Sequence, residues 1–147
     1  MRVPDSGMLP GPNQDRETAM TFAYWCVLIG ALMPFAWTMT AKAGGRRKMS
    51  LKENHAPREF LAKLDGSQKR ADWAQQNAFE AFPAFAAAVI IAHLAGAEQA
   101  TVNLLASIWV LARVAHGIVY LADLATLRSV VWFVALGCVV GLFIAAA

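Results

Sequence analysis

Residues 71–95 read ADWAQQNAFEAFPAFAAAVIIAHLA, a mainly apolar stretch that also carries charged and polar residues. About 20 helical residues, at 1.5 Å each, cross the ~30 Å hydrocarbon core of a bilayer. A charged side chain inside such a helix costs about 2.5–3.5 kcal/mol on insertion scales, so it persists where it faces other helices, water or a ligand. The stretch therefore predicts a membrane helix that is packed in a bundle and bears a polar site.

Three further apolar stretches of membrane-spanning length lie at about residues 18–41, 101–122 and 129–147. The predicted fold is all-α, an integral membrane bundle of four helices formed by one domain over residues 18–147. The hydrophobic fraction of 58% agrees with this, because it exceeds the ~45–50% typical of soluble domains. Residues 1–17, rich in proline, glycine and polar residues, are predicted to be either a disordered tail or an over-extended start, with Met8 or Met20 as the alternative start.

The polar segment between the first two spans, residues 42–69, is strongly basic. Residues 42–70 hold nine of the 13 lysines and arginines of the chain, against three acidic residues. By the positive-inside rule this loop is expected to be cytoplasmic, with both termini outside, in a protein that crosses a bacterial inner membrane several times. The net charge of +3 is attributed to orientation and to contact with membrane lipids, and nucleic acid is not expected as a partner.

Several residues of the spans are expected to be structural. Cys26 and Cys138 lie in apolar runs with no CxxC spacing and no histidine at ligand spacing, so neither a disulfide nor a metal site is predicted. His93 and Asn103, near the outer face, are expected to form hydrogen bonds between helices.

Polar residues of the second and third spans each fall on one helical face. Arg70, Asn77 and Glu80 are seven and three residues apart, which at 100° per residue forms one stripe. The stripe on the third span has spacings of four, three and four and consists of Trp109, Arg113, His116 and Tyr120. Arg128 and Ser129 are predicted to begin the fourth helix, where free N–H groups favour an anion. These residues should converge in the cytoplasmic half of the membrane.

Two motifs carry a resemblance to a known family: Asn77-x-x-Glu80-x-x-Pro83 and Arg113-Val114-Ala115-His116-x-x-x-Tyr120. Arg70 precedes them and Arg128-Ser129 follows. In this order and spacing they resemble the MAPEG family, the membrane-associated proteins in eicosanoid and glutathione metabolism, over about residues 18–147. The resemblance implies four helices, a homotrimer, and glutathione bound as thiol co-substrate between neighbouring subunits near the cytoplasmic face.

The resemblance also implies which residues bind glutathione. Glu80 and Asn77 would hold its amino and peptide groups, respectively, while Arg113 would pair either with Glu80 or with a carboxylate of glutathione. The complete set of implied binding residues is Arg70, Asn77, Glu80, Arg113, His116 and Tyr120.

Arg128, with Ser129 beside it, matches the arginine that the family uses to stabilise the thiolate, so these two are the expected catalytic residues. A thiol of pKa ~8.5 is mostly neutral at pH 7, and a nearby guanidinium favours its reactive anion.

Two functions stay open. The first is a transferase or peroxidase that uses glutathione or another low-molecular-weight thiol, acting on small hydrophobic electrophiles or lipid hydroperoxides from the bilayer. The second is a membrane protein of the same fold that binds a lipid or thiol without turnover. Gln76 and Trp73, which replace two basic residues of glutathione-using relatives, favour the second function. The intact Arg128-Ser129 pair favours the first.

The site residues also have structural interpretations. Glu80 with Arg113 could lock two helices as a buried ion pair. His116 could have a structural role only, through a hydrogen bond across the trimer, and Tyr120 could be an aromatic anchor at the membrane interface. Arg128 could extend to the lipid headgroups. The prediction of a site therefore depends on the convergence of these residues.

Overall fold

The computed structural model describes residues 20–147, in which all regular structure is helical. The long helices are α1 (Phe22–Ala43), α3 (Gly66–Leu94), α4 (Gln99–Leu121) and α5 (Ala125–Ala145); between α1 and α3 lie a 3₁₀ turn (Glu53–His55) and the short helix α2 (Pro57–Ala62). Each long helix is long and apolar enough to cross a membrane. The prediction of four apolar membrane-length helices is confirmed.

Two helices begin earlier than expected, because residues before the apolar run are also helical. α3 begins at Gly66 rather than near residue 71, and α5 begins at Ala125 rather than at 129. α1 begins at Phe22, because the Thr21 hydroxyl accepts a hydrogen bond from the Tyr24 N–H and caps the helix. The proposed tail, residues 1–17, and the expected start at residue 18 lie outside the described residues.

Helix α3 contacts α1, α4 and α5, and α1 and α5 each pack on α4 as well. Phe85 of α3 and Trp109 of α4 stack in the core, with ring centroids 3.7 Å apart and planes inclined by 3°. Two glycines allow tryptophans to approach closely. A Cβ at Gly30 would lie 3.0 Å from the Trp109 ring, and a Cβ at Gly117 would overlap the ring of Trp37. Small residues at such contacts let membrane helices pack tightly.

A hydrogen-bonded network joins three helices at the end of the bundle opposite the basic loop. The Asn103 side-chain oxygen accepts from the Ala23 N–H at 3.0 Å and from the Gln99 amide at 2.9 Å. The Gln99 oxygen faces Nδ1 of His93 at 3.2 Å. Asn103 and His93 therefore form the inter-helix hydrogen bonds that were expected of them.

The segment between α1 and α3, residues 44–65, is called the basic loop here; it is shorter than the predicted 42–69 because both helices extend into that range. It is folded onto the bundle, although the sequence predicted only a polar connection. Phe60 and Leu64 are buried in one cluster with Ala41 and Ala71. The Gln68 amide donates to the carbonyls of Ala41 at 2.8 Å and Arg47 at 2.7 Å, and its oxygen accepts from the Arg47 N–H at 3.2 Å. Gln68 thus fixes the start of the loop.

Replacing Gln68 by alanine should release this loop while leaving the long helices folded. Leaving the buried carbonyls unpaired should make local opening about 1–3 kcal/mol easier. Trypsin should then cleave at residues 46–48 faster than in the native protein, with unchanged circular dichroism. Ser67→Ala, a change at an exposed neighbour, is the matched control. Equal cleavage rates in the two variants would show that Gln68 does not hold the loop.

The turn before the 3₁₀ helix should be acid-sensitive through Glu53. Hydrogen bonds from the backbone of Ser50, then from Arg47 and the Ser50 hydroxyl, lower the pKa of Glu53 from 4.5 to about 2. Because the folded pKa is depressed, the carboxylate stabilises the turn fully above pH 4.5, and this stabilisation falls as the pH drops toward 2. The Ser50 amide resonance should titrate below pH 4.5, and Glu53→Gln should abolish that titration. A native resonance that does not move would exclude this contact.

Candidate functional site

Two adjoining cavities lie among α3, α4 and α5. The first, here called the polar cavity, has a volume of about 410 Å³ and is lined by Trp73, Gln76, Asn77, Glu80, Tyr120 and Arg128. The second, the apolar cavity, has a volume of about 270 Å³, and its lining includes Trp109, Arg113, Trp132, Ala135, Leu136 and Val139. Asn77 and Glu80 line both cavities. A polar compartment therefore meets an apolar one at this pair of residues.

Arg113 is the buried charge of the site, with 2% of its surface exposed. Its Nη2 donates to the side-chain oxygen of Asn77 at 2.9 Å. Neither Nε nor Nη1 has a hydrogen-bond partner among the described residues. A buried guanidinium with unpaired donors is costly, so pairing of these N–H groups with an anion would stabilise it.

Of the two partners considered for Arg113, Glu80 and a glutathione carboxylate, Glu80 is not paired with it in the protomer. The ion pairs within residues 20–147 do not include Glu80, which instead accepts a long hydrogen bond of 3.5 Å from the Asn77 amide. Asn77 therefore lies between the two charges. Glu80 stays exposed, and this avoids the desolvation that a buried carboxylate would incur.

Three side chains from α4 and α5, His116, Tyr120 and Arg128, line a third cavity of about 200 Å³. Tyr120 and Arg128 also line the polar cavity. The Arg128 guanidinium lies 4.3 Å from the centroid of the Tyr120 ring, a cation–π contact. His116, which is buried, meets Tyr120 edge-on at 5.5 Å. Arg128 has no acidic partner in the described part of the chain. Its charge is held in place by an aromatic ring and left free for a ligand.

Arg128 and Ser129 do not begin the fourth helix as expected. Since α5 begins at Ala125, the Arg128 N–H already donates to the carbonyl of Leu124 at 2.9 Å. The Ser129 hydroxyl donates to the carbonyl of Ala125 at 3.3 Å. The backbone here is committed to the helix, so the expected free N–H groups are absent at these two residues. What Arg128 offers to an anion is its guanidinium.

Arg70 lies outside both cavities, although it shares a helical stripe with Asn77. Its Nε donates to the carbonyl of Leu121 at 3.0 Å, and its Nη1 is 3.7 Å from the carboxylate of Asp123. Asp123 has a positive φ of 64°, so the turn between α4 and α5 is strained. Arg70 holds that turn.

Trp73 and Gln76 line the polar cavity, whereas the sequence interpretation treated them only as departures from a pattern. The Trp73 ring lies 6.5 Å from that of Tyr120, and the Gln76 amide donates to Asp72 at 3.2 Å. Trp73 is four residues before Asn77, so the same helical periodicity places it on the site face. The cavity therefore has an aromatic wall as well as charged groups.

A double-mutant cycle should show direct coupling between Asn77 and Arg113. We expect Asn77→Ala and Arg113→Ala to couple by about 1–2 kcal/mol, because the bond involves a charged donor shielded from water. The matched cycle of Glu80→Ala with Arg113→Ala should give a smaller value, since those side chains are not in contact. Unfolding in detergent measures both. A larger coupling for the Glu80 cycle would contradict the geometry described above.

A family model described as the MAPEG family matches residues 22–147, almost all of the described chain. No curated protein and no solved structure matches the chain significantly.

Proposed function

The chain belongs to the MAPEG family, and on that premise we propose that it is a membrane-bound transferase or peroxidase dependent on glutathione or another low-molecular-weight thiol. Its second substrate would be a small hydrophobic electrophile or a lipid hydroperoxide that enters from the bilayer. The observation that carries this proposal is the junction of the two cavities, with the free charge of Arg128 in the polar one. Such a junction would bring a charged thiol and an apolar acceptor together.

The charges of the site fit a tripeptide thiol such as glutathione. Glutathione has one ammonium group and two carboxylates besides its thiol. Glu80 is exposed in the cavity wall and suits the ammonium. Arg113 lines the apolar cavity beside Asn77, so it would meet a carboxylate at the junction of the two cavities. The Asn77 amide lies between them, at a position that suits a peptide group. Arg128 then remains for the sulfur or for the second carboxylate.

The thiol would supply the nucleophile, and the residues of this chain would prepare it. The guanidinium of Arg128 would lower the thiol pKa by stabilising the thiolate, so that more of it is ionised at neutral pH. Tyr120 would hold that guanidinium in place through its ring face. The apolar cavity, walled by Trp109 and Trp132, would hold the acceptor and exclude water.

We propose that the protein is a homotrimer in which a neighbouring subunit covers the polar cavity. Trp73, Gln76 and Glu80 are exposed on one protomer although they lie on a helix that spans the membrane. A charged side chain at that depth requires protein or water around it, not lipid. A neighbouring copy would provide this cover. Native mass spectrometry in mild detergent should therefore show a trimer, and a protein that is only monomeric would argue against shared sites.

The proposed orientation has the basic loop in the cytoplasm and both termini outside, in a bacterial inner membrane. The integral membrane character rests on four apolar helices and on the family. The concentration of lysine and arginine between α1 and α3 supports the direction of insertion. If protease added to the outer side of sealed vesicles cleaves at residues 46–48, the loop is outside and the proposed orientation is wrong.

The second candidate function, binding of a lipid or thiol without turnover, is favoured by Trp73 and Gln76. These side chains occupy the polar cavity where relatives that use glutathione have cations, so fewer positive charges are available for carboxylates. Conjugation of a chlorodinitrobenzene-type electrophile by the purified protein, with and without glutathione, separates the two candidates. An enzyme gives glutathione-dependent product above the uncatalysed rate. Bound thiol without product formation would identify a binding protein.

A further inference from the structure

Leu51 is the exposed hydrophobic side chain of the basic loop. It is 90% exposed, while Phe60, Leu61 and Leu64 of the same loop are buried. Lys48 and Lys52 flank it and are exposed as well. One exposed leucine alone indicates nothing, but this one lies among cations that attract an anionic surface.

The turn that carries Leu51 is held in a defined shape. The Ser50 N–H and hydroxyl donate to the Glu53 carboxylate at 3.0 and 2.9 Å, as in a capping box. Arg47 pairs with Glu53 at 2.9 Å and lies over the Phe60 ring at 5.2 Å. The charge of Arg47 is therefore used within the loop. The turn presents Leu51 in a fixed position.

Three other cations near Leu51 in the sequence are not paired within the loop. Arg46, Lys48 and Lys52 are exposed, and none takes part in an ion pair within residues 20–147. In the native protein the loop lies against the end of the bundle, because Phe60 and Leu64 are buried in one cluster with Ala41 and Ala71. The end of a membrane-spanning bundle lies at the headgroup layer, where charges interact over a Debye length of about 8–10 Å.

We propose that this turn is a binding site for anionic phospholipid. Arg46, Lys48 and Lys52 contact the phosphate headgroup, and Leu51 inserts among the acyl chains beneath it. The combination of a fixed leucine with unpaired cations favours a lipid over an acidic protein. A lipid offers both a negative headgroup for the cations and acyl chains for the leucine. This site is separate from the two cavities and does not depend on thiol chemistry.

The test uses the purified full chain in mild detergent, with a fluorescent bimane label on Asn54→Cys. Asn54 is exposed beside the turn, and both native cysteines are buried, so the label attaches at one position. Dioleoylphosphatidylglycerol, dioleoylphosphatidylcholine and glycerol phosphate are titrated separately. We expect tight binding of the anionic lipid, weak binding of the zwitterionic lipid, and little response to the headgroup alone.

Charge and leucine variants identify the binding groups. Each basic residue near an anionic surface strengthens association roughly fivefold, so Lys48→Gln with Lys52→Gln should weaken phosphatidylglycerol binding roughly thirtyfold. Arg58→Gln with Lys63→Gln, the same charge change elsewhere in the loop, should have a much smaller effect. Leu51→Ser should weaken binding of the diacyl lipid but not of glycerol phosphate.

Three results would overturn the proposal. Equal effects of the two double variants would mean that the whole loop acts as a diffuse charge. Glycerol phosphate binding as tightly as the lipid would mean a simple phosphate site. No preference for the anionic lipid, with the variants still folded by circular dichroism, would mean that the turn does not recognise an anionic headgroup.

Discussion

Replacing Arg128 by alanine should reduce thiol-dependent turnover by about 100- to 1000-fold, the usual effect of removing one preorganised charge stabiliser. Its guanidinium lies over Tyr120 and has no acidic partner among the described residues, so its loss leaves no new unpaired charge in the protein. The helices and the assembly should therefore stay folded. Initial rates at matched protein yield, together with native mass, measure both effects.

Two further variants control this experiment. Arg128→Lys should restore activity only in part, because an ammonium lacks the planar fork that can hold a sulfur and a carboxylate together. Ser129→Ala should have a small effect, since the hydroxyl donates to the carbonyl of Ala125. Full activity of the lysine variant would favour a headgroup anchor. Unchanged turnover of Arg128→Ala would exclude the residue from catalysis.

Trp109→Ala should be the most destabilising single change in the bundle core. Trp109 is 2% exposed, stacks on Phe85 at 3.7 Å and is accommodated by Gly30. Large-to-small changes at buried tryptophans cost about 3–5 kcal/mol in soluble proteins. We expect about 3 kcal/mol here, because the transfer from water contributes less in lipid and the loss is mainly of packing contacts.

Trp25→Ala is the matched control for that loss, because Trp25 is 51% exposed on α1. Its effect on unfolding in detergent should be much smaller. Trp109→Ala should also enlarge the apolar cavity. The ratio of its rate with a bulky acceptor to its rate with a small acceptor should therefore be higher than in the native protein. Equal stability of the two variants would mean that the Phe85–Trp109 stack is not a core contact.

The helices and the polar stripes follow from the sequence because both depend on local patterns. Long apolar runs predict spans, and 100° periodicity brings Asn77 and Glu80 onto one face. The same periodicity places Trp73 on that face, although its residue type marks it only as a departure from the family pattern. In α4, Arg113, His116 and Tyr120 follow the same rule.

The remaining features depend on rotamers and on packing between distant segments, which periodicity does not determine. Arg70 is on the correct stripe, yet its long side chain reaches the carbonyl of Leu121 instead of the cavity. Arg113 donates a hydrogen bond to Asn77 and forms no ion pair with Glu80, although both residues lie on the same stripe of α3. The tether from Gln68 to Ala41 joins residues far apart in sequence. Helix starts are similarly hard to predict. Because α5 begins at Ala125, the Arg128 N–H is bonded within the helix and only its guanidinium can bind an anion.

The most direct test of the central claim is the ultraviolet absorbance of the glutathione thiolate as glutathione is titrated into the purified protein at neutral pH. The thiol of free glutathione, with a pKa of ~8.5, is mostly protonated there. We predict that bound glutathione ionises and that thiolate absorbance saturates with occupancy in the native protein. In Arg128→Ala, the thiol pKa should return toward the free value. Binding without thiolate absorbance, or equal absorbance in both proteins, would contradict activation of a thiol by Arg128.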